Sequence, residues 1–383
     1  MKTKTKNLVF YAIMLVGVAL IIELSAALFF NVFQERFTFF DVYLVKDEKL
    51  DFLNANFDSR LGWNRDFATP YHERPRQKEY HRPLMATFGD SFTYCDQVHD
   101  DKTWQTYLAE LLQADVYNLG SSGHGTDQVY LKFLSHYPQV KTPIVTLGLI
   151  TENINRIVNV YRPFYFPKTL LWFTKPRFKL VDDQLVLLEN PLKTKADLLK
   201  LKDLEFVTRL GAHDWWYARD NYPQLAFPYS RILLNRRMWL EAYYGKGDQR
   251  VDDMSPRPWE NLWYHPQATA LMHKIMRSFV AQVKQDYQAL PIIMILPMKH
   301  EVNFYFEHKR LTHAISLILE HCRLNHYLCY EAISALGNSV SSKAEIETLY
   351  QGHVSPKGNR IIARDLFEFL QEPLKTIGYD LNS

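Results

Sequence analysis

The segment Leu8–Phe30 (LVFYAIMLVGVALIIELSAALFF) constrains this chain more than any other feature, because it is apolar almost without interruption. At ~1.5 Å per helical residue it is long enough to cross a hydrocarbon layer of about 30 Å. No later stretch compares with it, so the sequence predicts a single-pass protein. Lys2, Lys4 and Lys6 precede the segment, whereas Glu35, Arg36 and Asp41 follow it. The positive-inside rule then leaves the N-terminus in the cytoplasm and everything after about residue 31 outside. Glu23 is the one charge inside the run, where protonation, a partner or interfacial water must offset its cost. A cleaved signal peptide ending near Ser25 and Ala27 is the competing reading. Leu28, Phe29, Phe30, Val32 and Phe33 prolong the apolar surface and favour an uncleaved anchor.

The remaining length supports one or two further structural units. Lys and Arg total 45 against 42 for Asp and Glu, a balance that gives no reason to expect a nucleic-acid or polyanion partner. Cys95, Cys322 and Cys329 are too few for a disulfide framework. Cys322 and Cys329 either bridge in an oxidising compartment or sit reduced as small buried residues.

Residues 34–82 are polar and aromatic without long periodic segments, which reads as a lead-in laid on the following domain and carrying no function. From Leu84 onward strands and helices alternate: strands at 84–88, 116–119, 143–150, 291–297 and 326–330, with helices at 104–112, 127–134, 268–287, 306–324 and 356–370. That alternation implies an α/β domain over 83–372 built on a parallel sheet. Residues 161–265 interrupt the rhythm with many prolines and with Trp172, Trp215, Trp216, Trp239, Trp259 and Trp263, and read as an insertion. Its tryptophans either line a sugar-binding platform or pack the insertion itself.

Four loops, each beside a strand end or a helix start, carry the chemistry. FGDSF at 88–92 puts Ser91 at the carboxyl end of a strand, where open α/β sheets form their ligand crevices. NLGSSGHG at 118–125 ends a second strand with small residues and accessible N–H groups. GLITENINR at 148–156 ends a third and offers the amides of Asn153 and Asn155. QGHVSPKGN at 351–359 places His353 just before a helix capped by Ser355 and started by Pro356. Arg156, Arg162 and Lys168 lie near the third loop, as a rim that either steers an anionic glycan or is merely solvated.

In this order the loops resemble the four blocks of the SGNH hydrolases, also called the GDSL-type family, over residues 83–372 without the insertion. TFGDSFTYCDQVHDDKTW and LGWNRD at 61–66 are also similar to membrane-anchored bacterial members associated with envelope polysaccharides. The resemblance implies a three-layer, flavodoxin-like α/β fold. It implies Ser91 as nucleophile, His353 as its base, and an oxyanion hole made by the Ser91 and Gly120 N–H groups with the Asn153 side chain, Asn155 being the fallback. The implied activity is that of a serine esterase or O-acyltransferase acting on acyl esters of a carbohydrate. No cofactor is implied, and the histidines, His265, His273, His308 and His313 among them, form no metal-binding motif.

The family commonly carries an Asp two or three residues before the His, where this chain has Gln351 and Tyr350. Three accounts follow: a Ser–His dyad with a backbone carbonyl near 350 orienting the ring, Glu347 or Glu345 reaching back, or a catalytically weak site that binds glycan in an assembly complex. Transfer rather than hydrolysis would also need a membrane partner that supplies the acyl group, since one helix cannot carry acyl groups across a bilayer.

Overall fold

The computed structural model describes residues 2–167, 169–217, 222–244 and 261–379. Helix α1 (Lys2–Val32) contains the apolar stretch Lys6–Val32, which is long and apolar enough to cross a membrane. The body is a mixed α/β domain around a five-stranded parallel sheet of β1 (Pro83–Phe88), β2 (Asp115–Asn118), β3 (Ile144–Leu149), β4 (Leu290–Ile295) and β5 (Leu328–Glu331). The strands lie in the order β2-β1-β3-β4-β5, with Met85 opposite Ile144, Ile144 opposite Leu290 and Ile292 opposite Leu328. This is the flavodoxin-like order, whose switch point lies between β1 and β3. Both faces of the central strands are covered. Leu84, Met85, Ala86 and Phe88 are all buried, which explains why β1 reads as a continuous apolar run rather than an alternating one.

Helix α2 (Trp104–Leu112) packs with the last helix, α7 (Pro356–Thr376), while α3 (Thr126–Val140) packs with α4 (Pro266–Asp286). In α7, Ile362, Leu366, Leu370 and Leu374 recur every four residues and are buried, the stripe expected of a helix covering a sheet. Its start is set by Ser355, whose side chain accepts from the Gly358 N–H, and by Pro356 in the first turn.

Two expectations need correction. The helix anticipated at 306–324 is two helices, α5 (Lys299–His308) and α6 (His313–Leu324). Lys309 ends the first in a left-handed conformation, with φ 49°, and the chain restarts beyond Thr312. Nor is the lead-in merely laid on the domain, since Phe40, Tyr43, Leu53, Leu61 and Trp63 belong to the main core. The described part of 161–265 shares that core through Tyr161, Phe164, Trp172, Phe173 and Trp216, and adds an antiparallel hairpin of Arg177–Val181 with Gln184–Leu188. Cys322 and Cys329 are disulfide-bonded.

Candidate active site

Ser91 opens a one-turn helix, Ser91–Tyr94, directly after β1, and is buried to 5% exposure. As the first helical residue it has an N–H outside the helix ladder. Asp90 caps the turn, with Oδ1 accepting from the Phe92 N–H at 2.8 Å. Its other oxygen, Oδ2, accepts from Asn153 Nδ2 at 2.8 Å, so the loops after β1 and β3 are bonded across the switch point. Burial raises the Asp90 pKa, against the opposing influence of Arg156 and these hydrogen bonds. An amide carries two N–H donors, so Asn153 retains one beyond its bond to Asp90. Its Oδ1 is buried without a hydrogen-bond partner among the described residues.

Gly120 sits where only glycine fits. A Cβ there would lie 2.3 Å from the Tyr94 backbone nitrogen, so the absence of a side chain lets the block-two turn close onto the Ser91 helix. The Gly120 N–H donates to Asn118 Oδ1 at 3.0 Å, so this expected oxyanion donor is engaged within its own turn. Asn155 turns inward from the site, with Nδ2 donating to the Glu152 carbonyl at 3.1 Å.

His353 lies in a short hairpin, Tyr350–Gln351 with His353–Val354, and its ring rests 4.8 Å from that of Phe92, the neighbour of Ser91. No hydrogen bond joins Ser91 and His353 among the described residues, and Nε2 lies 3.9 Å from Asp96 Oδ2. Nδ1 lies 3.2 Å from Gln97 Oε1, which also accepts the His353 backbone N–H at 2.8 Å. An amide oxygen only accepts, so this contact places the ring proton on Nδ1 and leaves the Nε2 lone pair open. Gln351 Nε2 donates back to the Gln97 carbonyl. Gln97 is held in a left-handed conformation, φ 70°, and Gly352 opposite it has φ 90°. A Cβ on Gly352 would lie 2.3 Å from Gln97 Oε1, so glycine is required for this approach.

Gln97 was not among the residues the sequence singled out. The two carboxylates that were, Glu347 and Glu345, are engaged elsewhere: Glu347 is ion-paired with Lys299, and Glu345 accepts the Ser341 N–H at 3.0 Å. The backbone carbonyl near 350 is likewise replaced by a side-chain amide. Burial holds the His353 pKa below its ordinary value, while Asp96 and Asp90 pull upward. Cys95, at the end of the Ser91 helix, is buried, and burial pushes its thiol up to about 12, which disfavours a reactive thiolate there.

The surroundings correct the expected rims. Arg156 is buried, ion-paired with Glu152 and bonded to the His124 carbonyl at 2.9 Å, so it is neither solvated nor a steering charge. Arg162 is also buried, over the Tyr165 ring at 5.1 Å, and burial lowers its guanidinium to about 10. Lys168 and Trp259 lie outside the described residues. Trp172, Trp216 and Trp263 are packed rather than displayed, and the last two brace block three by donating to the Asn155 and Thr151 carbonyls at 3.1 and 2.9 Å. Trp63 and Asn64 of the lead-in support block two. Trp63 Nε1 donates to the Ser122 carbonyl at 2.8 Å, and Lys132 Nζ bonds Asn64 Oδ1 at 3.1 Å and Ser121 Oγ at 2.8 Å. The four histidines named from the sequence pack against rings: His265 on Trp215 at 4.5 Å, His273 on His321 at 3.8 Å, His308 on Phe304 at 4.5 Å and His313 on Tyr264 at 4.4 Å.

No family model matches the chain, and no curated protein matches it. Solved structures with some likeness include one from Desulfitobacterium hafniense described as a lipolytic protein of the G-D-S-L family. It has TM-score 0.37 and 11% identity, covering 76% of this chain and 100% of that one. A catalytic mutant of an acetylxylan esterase from Geobacillus stearothermophilus has TM-score 0.34 and 13% identity, covering 78% of this chain and 95% of that one. Likenesses this distant add nothing to what the strand order and the side chains carry themselves.

Proposed function

We propose that the chain is an SGNH-type serine esterase or O-acyltransferase with Ser91 as nucleophile and His353 as base, acting outside the cytoplasmic membrane of a bacterium on acyl esters of an envelope polysaccharide. The observation that carries this reading is the convergence at the sheet's switch point. Ser91 follows β1, the His353 ring lies on the adjacent Phe92 with its tautomer set by Gln97, and Asn153 is fixed by Asp90.

In the first half-reaction Ser91 Oγ attacks the ester carbonyl and its proton passes to His353 Nε2. The oxyanion meets the Ser91 N–H and the second N–H of Asn153, donors whose individual loss typically costs about 3 kcal/mol. Collapse expels the alcohol, which takes the proton from His353, and leaves Ser91 acylated. Water or a sugar hydroxyl then attacks the acyl carbon, losing its proton to His353; the acyl–Oγ bond breaks, and Ser91 Oγ takes that proton back as the acid or new ester leaves. Substrate binding brings Nε2 from beside Asp96 to Ser91, since such contacts commonly tighten only in the complex. On this reading α1 anchors the protein with its N-terminus in the cytoplasm. The transferase form additionally needs a membrane acyl-donor partner.

The test is hydrolysis of an activated acetyl ester by the full-length chain in detergent, with Ser91→Ala and His353→Ala alongside. Loss of activity in both variants supports the reading; wild-type rates no higher than those of folded Ser91→Ala would contradict it as far as hydrolysis is concerned. One observation favours a second reading, a glycan-binding domain with little turnover: the partner of His353 Nδ1 is a neutral amide that cannot stabilise an imidazolium as a carboxylate does. Glycan binding unaffected by Ser91→Ala, together with no turnover, would select it.

A further inference from the structure

Glu23, alone among apolar neighbours in α1, is matched from the far side of the sequence. Its carboxylate accepts the backbone N–H groups of Tyr229 and, at 3.0 Å, Ser230, which open the 3-10 helix Tyr229–Leu234. Further along α1, Ala26 and Phe30 are buried in a cluster with Phe37, Phe39, Ile232 and Met238 that is separate from the main core. Trp239 lies 6.3 Å from Phe29 and 6.0 Å from Phe30, centroid to centroid. The segment Leu225–Tyr244 is therefore fastened along the outer part of α1.

The height of this contact follows from helix geometry. If the hydrocarbon layer begins near Leu8, ~30 Å at ~1.5 Å per residue ends it near Ala27 or Leu28, about 7 Å beyond Glu23. A segment bonded to Glu23 must reach below the headgroups. It turns large apolar side chains outward, with Phe227 77%, Leu233 42% and Leu234 84% exposed. Exposed Arg231 and Arg236 are of the charge that anionic headgroups attract. Trp239 and Tyr243 are the residue types of membrane interfaces. Irregular backbone at this depth is tolerated only if its polar groups are matched. Glu23 takes two N–H groups, Pro228 has none, and the Arg231 and Asn235 N–H groups donate to the Pro228 and Ile232 carbonyls at 3.2 and 3.1 Å.

We propose that Leu225–Tyr244 is a membrane-dipping shoulder that inserts Phe227, Leu233 and Leu234 into the outer phospholipid leaflet beside α1. Two points of attachment, helix and shoulder, fix how the domain stands on the bilayer. The occupant of this apolar surface is lipid, because the surface is continuous with the exposed flank of α1 and is bonded to it at acyl-chain depth. The proposal rests on α1 being a retained anchor and is independent of the ester chemistry.

The test is made with the full chain in phosphatidylcholine–phosphatidylglycerol vesicles. Cys95 is buried and the other two cysteines are bridged, so an introduced cysteine is the one that takes an environment-sensitive fluorophore. Phe227→Cys and Leu234→Cys are compared with Leu15→Cys in α1 and with Leu170→Cys, a site 78% exposed whose neighbours Trp172 and Phe173 belong to the main core rather than to the α1 cluster. Lipid-borne nitroxides should quench labels at 227, 234 and 15 several-fold more than at 170, and iodide should do the reverse. Labels at 227 and 234 that behave like 170 while 15 is quenched would overturn the shoulder and leave the anchor intact. Labels shielded from iodide but not reached by lipid nitroxides would mean a protein occupant and also overturn it. If 15 itself is not quenched, anchor and shoulder fall together.

Discussion

Gln97 Oε1 holds His353 twice, accepting the backbone N–H at 2.8 Å and lying 3.2 Å from ring Nδ1. The amide thus fixes the tautomer as a carboxylate would, without the charge. Gln97→Ala should lower kcat by about 10- to 100-fold with little change in KM, since only base orientation is lost. Gln97→Glu puts a carboxylate beside Nδ1 and should raise the ring pKa. Steady-state kinetics and a pH profile on both variants check this; Gln97→Ala at the wild-type rate would remove Gln97 from the mechanism.

Gly352→Ala should reproduce the loss expected of Gln97→Ala. The new Cβ would meet Gln97 Oε1 at 2.3 Å, and φ 90° strains any side chain there. The backbone strain alone costs about 1–2 kcal/mol. Because both substitutions break one contact, the double variant should be little slower than either single one. Additive losses would show that the two residues act separately.

The pH dependence follows from His353. Burial depresses its pKa below 6.5, and Asp96 and Asp90 partly restore it. In the proposed mechanism the imidazole must be neutral to act as base, so kcat/KM should fall as pH drops through a value below 6.5. Asp96→Asn removes an upward influence and should move that midpoint lower still. A midpoint that rises in Asp96→Asn would contradict this account of the electrostatics.

Stability should depend on pH through a different histidine. Burial, with Lys132, Lys175 and Arg156 nearby, pushes His124 down to about 3, while its Nε2 bonds the Trp63 carbonyl at 2.8 Å. Between about 3 and 6.5 the unfolded chain binds a proton here that the folded chain does not, so stability rises with pH across that window. Urea unfolding at pH 4.5 and 7 should show the difference, and His124→Gln should flatten it.

What the sequence made legible is what local pattern encodes. The continuous apolar runs became strands buried on both faces, and the turns after β1, β2 and β3 came together at one end of the sheet, with Gly120 closed onto Tyr94 and Asp90 bonded to Asn153. What stayed hidden depended on contacts distant in sequence. Gln97 meets His353 across 256 positions and carries no local signature. Glu23 was visible as a charge in an apolar helix, but its partners lie 206 and 207 residues away. Asn64 reads as part of a lead-in until Lys132 is seen bonded to it. The tryptophans of 161–265 left a platform and ordinary packing both open, because composition does not reveal which face of a ring is covered. Trp216 and Trp263 spend theirs supporting block three.

The central claim is that Ser91 is a nucleophile activated by His353. The most direct measurement is labelling of the full-length chain with a fluorophosphonate, followed by mass analysis of the peptide containing residue 91. The account predicts a single adduct on Ser91, none in Ser91→Ala, and much slower labelling in His353→Ala. An unlabelled Ser91 in folded protein, or labelling undiminished in Ser91→Ala, would contradict it.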